Sequence, residues 1–132
     1  HLPIPIVIAV IGQGGSGGAI AMAVGDRILM LENAYYSVIA PEACSTILFK
    51  TRDRKEEATE ALKVTAEDMK ENGLIDRIVP EPFGGAHRDW DEAAGSLKRY
   101  VAEALAELRS IPSDELVRQR VEKFCAMGRW QE

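Results

Sequence analysis

Five glycines in seven positions, Gly12, Gly14, Gly15, Gly17 and Gly18, are interrupted only by Gln13 and Ser16. Glycine has no Cβ, so its amide can lie against a ligand with no side chain in the way. Where such a run opens a helix, the first N–H groups have no intrahelical acceptor and sit at the positive end of the helix dipole. The stretch therefore predicts a nest of backbone donors for an oxygen that carries or develops negative charge. The flanking residues must position it. Val7 to Ile11 is a β-branched apolar run that reads as a buried strand, and the small, apolar Ala19 to Val24 reads as a helix packed closely on other backbone. Strand, glycine turn and helix is the expected order.

Three chemistries fit these residues. Gly12-x-Gly14-x-x-Gly17 matches the dinucleotide fingerprint, with Glu32 near the place of a ribose-binding acid; Gly25-Asp26 would break the crossover helix, and no series of βα units follows. Gly14-x-Ser16-x-Gly18 matches a nucleophile elbow, completed in chain order by Asp76 and His87. Serines in glycine-rich turns are more often structural. The third chemistry uses the amides of Gly17 and Gly18 as an oxyanion hole, in which each donor is worth about 3 kcal/mol of transition-state stabilisation. The residues alone leave that reading even with glycines that serve only close helix-on-strand packing.

A chain of 132 residues, 46% of them hydrophobic, is one domain or part of a larger one and can bury a core. Its charge is −5, with 21 acidic against 16 basic residues. No stripe of Lys or Arg forms, so no nucleic-acid partner is expected, and no apolar run is long enough to span a bilayer. Cys44 and Cys125 lack metal-ligand spacing, and no metal site is expected. The two read as buried, reduced thiols suited to the cytoplasm or a plastid stroma. The chain starts at His1 and enters a core-like strand almost at once. The expectation is a C-terminal piece of a longer polypeptide, or a partner that completes the sheet.

Further along, Arg27 to Leu31 and Tyr35 to Ile39 read as short strands. Pro41 suits the first position of a helix over PEACSTILF. Residues 50–57 are charged, a wet loop or helix face, and Ala58 to Leu62 continues as helix. Thr65 with Asp68 forms a capping box before a helix over Ala66 to Asn72, closed by Gly73. Leu74 to Val79 alternates like a strand, and residues 80–88 form a turn-rich loop. Asp89 with Glu92 caps a long amphipathic helix whose apolar face is Trp90, Ala93, Ala94, Leu97, Val101, Ala104, Leu105 and Leu108. Ser113 is expected to cap a last helix with Leu116, Val117, Val121 and Phe124 on its buried side.

The strings VIGQGGSGGAIAMAVGDRILMLENAYYSVIAPEACSTILFK and TAEDMKENGLIDRIVPEPFGGAHRD, with the helical tail after them, resemble the α subunits of the acetyl-CoA carboxylase carboxyltransferase family. The resemblance covers essentially the whole chain and corresponds to the C-terminal part of such a subunit. It implies an α/β fold of the crotonase (ClpP-like) type, a partial spiral of ββα units. Residues 1–88 would be the C-terminal part of that core and 89–132 a helical extension.

It further implies a step of fatty acid biosynthesis within an ATP-dependent complex. A carboxyl group moves from carboxybiotin, held on a biotin carboxyl carrier protein, to acetyl-CoA to give malonyl-CoA. On the matching positions, Gly17 and Gly18 would be the catalytic pair, donating to the ureido oxygen of biotin. Gly14, Gly15 and Ser16 would complete the cofactor-binding turn. The freed biotin nitrogen would take the methyl proton, so no protein base is needed. A carboxyltransferase β subunit would supply a second oxyanion hole in an α2β2 heteromer, leaving this chain inactive alone. Gln13 stands where Glu is common in the family, outside the donor pair. His87 and Arg88 fit the family's GGAHR motif, as site-lining, contact or turn residues. Two other readings stay open: another crotonase-fold acyl-CoA enzyme (hydratase, isomerase or decarboxylase), which would need an acid after the turn, or a non-catalytic assembly domain.

Overall fold

The computed structural model describes residues 2–128. From the N-terminus, β1 (Val7–Val10) and β2 (Gln13–Gly15) lead into α1 (Ser16–Met22), followed by β3 (Arg27–Leu31) and β4 (Tyr35–Ser37). Then come α2 (Pro41–Phe49), α3 (Lys55–Leu62), α4 (Ala66–Glu71), β5 (Arg77–Val79), α5 (Trp90–Arg109) and α6 (Ser113–Cys125). All the pairings are parallel. One sheet runs β1-β3-β5, with Val7 beside Arg27 and Leu29 beside Arg77, and a separate pair joins β2 to β4.

The buried strand is β3, not β1. Ile28, Leu29 and Met30 are at most 1% exposed, as expected of the centre of a parallel sheet covered on its faces. β1 lies at the sheet edge and is only half-buried, with Ala9 exposed. α5 crosses the sheet, and the spacing of three and four puts Ala93, Ala104 and Leu108 in the core. Leu97 and Val101 are half-buried against the core. Trp90, expected on that face, is 75% exposed, and Ala94 is exposed too.

A polar clamp fastens α6 to the sheet. The Asp26 carboxylate, 4% exposed, accepts from Ile6 N at 2.7 Å and from Arg120 Nε and Nη2 at 2.8 and 2.7 Å. Arg120 also donates to the carbonyls of Leu2 and Ile4 at 2.9 and 2.8 Å. One turn on, Lys123 donates to the Asp26 carbonyl and the Asp76 carboxylate, and the latter also accepts from Ile28 N. A charge is kept out of water only when partnered in this way.

Several boundaries differ from the sequence reading. Gln13 to Gly15 is strand because it pairs with Tyr35 to Ser37, so α1 starts at Ser16 instead of Ala19 and ends at Met22. β4 stops at Ser37, whose Oγ bonds both the carbonyl and the N–H of Ile39 and turns the chain. β5 begins only at Arg77, since Leu74 N and Ile75 N turn back to the Met69 carbonyl after Gly73 (φ +70°). Ser113 does not cap α6: Pro112 holds the N-cap position and Ser113 is the first helical residue. Val121 is exposed. Cys44 is buried but Cys125 is exposed, against the expectation of two buried thiols. The Thr65–Asp68 capping box, the Asp89 cap and Pro41 at the start of α2 are all present.

Candidate functional site

The glycine stretch folds as strand, elbow and helix. The elbow is Ser16, left-handed at φ +60°, a conformation that costs a non-glycine residue about 1 kcal/mol. The turn leaves a cavity of about 420 Å³ between β1, the glycines, α1 and Tyr36. Gly12, Gly14, Gly15 and Gly18 line it; Gly17 and Ser16 stand just outside. The lining is mostly apolar and contains neither carboxylate nor imidazole.

Gly17 and Gly18 occupy the second and third positions of α1, before the first intrahelical acceptor. Neither N–H donates to any described residue. Both residues are exposed, and a Cβ on either would meet nothing within 4 Å. The fold therefore does not demand glycine at these two positions, although alanine suits a helix better by up to about 1 kcal/mol each. Gly14 and Gly25 differ. A Cβ there would come within 2.7 Å of the Tyr36 ring or of the Ile8 side chain. Close packing accounts for those two and leaves Gly12, Gly15, Gly17 and Gly18 unexplained by it, of which Gly17 and Gly18 are the pair inside the helix.

The rival chemistries are not assembled. Asp76 is committed to Ile28 N and Lys123, and neither it nor His87 lines the cavity beside Ser16. Glu32, the would-be ribose acid, accepts from Glu81 N at 3.2 Å. Among the described residues no three His, Cys, Asp or Glu side chains gather as metal ligands. No described helix is long and apolar enough to cross a membrane.

A larger, open groove of about 680 Å³ lies at the C-terminal ends of the sheet strands and shares Ile11 with the glycine cavity. Glu81, unnoticed in the sequence, organises it. Its carboxylate accepts from Asn33 N at 2.9 Å and from Ala86 N at 2.7 Å. Burial works to raise its pKa, but these hydrogen bonds and the nearby His87 outweigh it and hold the group below the usual carboxylate value. Gly84 and Gly85, at φ +86° and +98°, turn the loop and leave Phe83 fully in solvent. His87 lines this groove, away from the free amides; Arg88 lies beyond it, beside Trp90. Tyr36 is half-buried against the core and also forms a wall of the glycine cavity. Its opposition to Gly14 depends on strand register, which sequence spacing does not reveal.

Solved structures share the architecture. A chain of the Pseudomonas malonate decarboxylase hetero-tetramer in complex with coenzyme A matches 89% of this chain and 45% of its own length, with TM-score 0.67 and 17% identity. A dehydratase/decarboxylase enzyme couple involved in polyketide β-branching matches 94% of this chain and 50% of its own, at TM-score 0.52 and 18% identity. The fold is thus that of the crotonase class, an α/β spiral of parallel strands and helices. Within that class, the profile of the acetyl co-enzyme A carboxylase carboxyltransferase-like family matches residues 1–128, and the chain belongs to this family. The acetyl-coenzyme A carboxylase carboxyl transferase subunit alpha of Chlorobium limicola is 55% identical over 132 residues, all of this chain and 40% of that protein. That of Desulfitobacterium hafniense is 52% identical over 129 residues, 98% of this chain and 40% of that protein. The chain spans about 40% of the length of these curated relatives.

Proposed function

We propose that this chain carries the biotin-side half of a carboxyltransferase site, as part of an α subunit that works with a β subunit. The carrying observation is the pair Gly17 and Gly18: helical, without an acceptor, and glycine for no reason of packing. Their N–H groups would hold the ureido oxygen of biotin, with Gly14, Gly15 and Ser16 shaping the turn. The apolar walls suit a neutral ring system that has one polar edge. Carboxybiotin, when bound, supplies the carboxyl group passed on to acetyl-CoA. The amides act by donating more strongly to that oxygen as negative charge builds on it, which favours the transition state over the ground state. On this reading the freed biotin nitrogen takes the methyl proton of acetyl-CoA, and the amides of this chain contribute no base. On this reading residues 1–88 form core and 89–132 the helical extension, and the partners are the β subunit and a biotin carboxyl carrier protein. An α2β2 assembly in the cytoplasm or plastid stroma, within fatty acid biosynthesis, completes the proposal.

The test is the reverse reaction, malonyl-CoA with a free biotin derivative, run on the full-length subunit with and without β subunit. Gly17→Val and Gly18→Val should lower turnover about a hundred- to a thousandfold while assembly with the β subunit is retained. Wild-type turnover in both variants would remove the assignment and favour an assembly role.

A further inference from the structure

α1 is a poor helix by its own composition. It has seven residues, SGGAIAM, with no acidic residue in its first turn and no side-chain cap, too short to persist without tertiary support. Its first residue, Ser16, is left-handed. Support comes from one side chain in the cavity wall. Tyr36 stands opposite Gly14 in the β2–β4 pairing, and its ring lies so close over Gly14 that a Cβ there would be 2.7 Å from Cδ2. Its hydroxyl donates to the Ala19 carbonyl at 3.1 Å. That carbonyl also accepts from Ala23 N at the end of the helix, at 3.1 Å. Among the described residues no other side chain hydrogen-bonds to α1.

We propose that Tyr36 is a positioning residue, whose ring and hydroxyl together set how far α1 stands from the sheet and so the width and aim of the glycine cavity. This rests on the reading of that cavity as the biotin side of a carboxyltransferase. Burial raises the phenol's pKa, so the group stays a donor at working pH, and its proton is spent on Ala19. Tyr36 therefore acts on the reaction through α1, without contributing a proton to it. Gly14 belongs to the same device, because only glycine lets the ring pass.

The experiment uses the full-length subunit assembled with its β subunit, in steady-state malonyl-CoA formation. Tyr36→Phe keeps the ring and removes only the tether. Its kcat should fall about tenfold, a fraction of the loss from deleting a donor outright, with KM for each substrate within about twofold. A variant that loosens the fold elsewhere, Leu116→Ala under α6, should keep its kcat, which separates aim from general destabilisation. Wild-type kcat for Tyr36→Phe beside an inactive Gly18→Val would overturn the role of Tyr36 and leave the site assignment standing. A loss confined to KM would also overturn it. Wild-type rates for Gly18→Val would defeat the site assignment, and this inference with it.

Discussion

Removing the Arg120 guanidinium tests the clamp that joins the two ends of the described chain. Arg120→Ala deletes four hydrogen bonds, two to Asp26 and one each to the carbonyls of Leu2 and Ile4. It leaves a carboxylate whose side chain is 3% exposed with the Ile6 N–H as its remaining side-chain hydrogen bond. Breaking a buried pair from one side costs about 3–5 kcal/mol, and the surviving donor places this case near 3. Lys at position 120 keeps the charge but loses the fork, so Arg120→Lys should cost about half as much. The assay is hydrogen exchange by mass spectrometry on the full-length protein, following the peptide that holds residues 2–9. A loss of 3 kcal/mol corresponds to exchange faster by roughly a hundredfold. A change under about threefold would refute the reasoning, since it would give the pair the sub-kilocalorie worth of an exposed ion pair.

Gly17→Ala and Gly18→Ala should each raise the stability of α1 by about 0.5–1 kcal/mol while slowing carboxyl transfer; exchange protection of α1 and turnover, measured together, check this opposition. Thr65→Ala removes the reciprocal cap with Asp68 and should cost about 1 kcal/mol, read as faster exchange in α4. Glu81 has a lowered pKa when folded, so its contribution is present above the ordinary Glu value of about 4.3 and is lost as pH falls through the folded value. Wild type and Glu81→Gln should therefore differ in protection of the loop over residues 82–88 at pH 7 and converge in acid.

Local chemistry made some of this legible before any coordinates. Thr65 and Asp68, Asp89 and Glu92, and Pro41 each carry their own stop or start signal within a turn of backbone, and the structure places them as read. The spacing on α5 likewise announced Ala104 and Leu108 as core. What failed depends on partners distant in sequence. Val7 to Ile11 is as apolar as a central strand, yet its place at the edge is set by which strand lies beside it. Gln13 to Gly15 has no strand-forming side chain and is extended only because Tyr35 to Ser37 runs alongside. At the site, the run of glycines was visible, but their division into two kinds was not. Gly14 answers to Tyr36 and Gly25 to Ile8, whereas Gly12, Gly15, Gly17 and Gly18 have open space among the described residues where a Cβ would stand. Glu81 went unread because its work is done on backbone groups at Asn33 and Ala86.

The bare outer rim of β1 has one more implication. A ribbon of Val, Ile, Ala and Val carrying no charge and bordered, among the described residues, on one side by β3 offers unpaired backbone groups to a further strand. An edge of this kind, unless a strand or helix covers it, favours pairing between molecules as concentration rises.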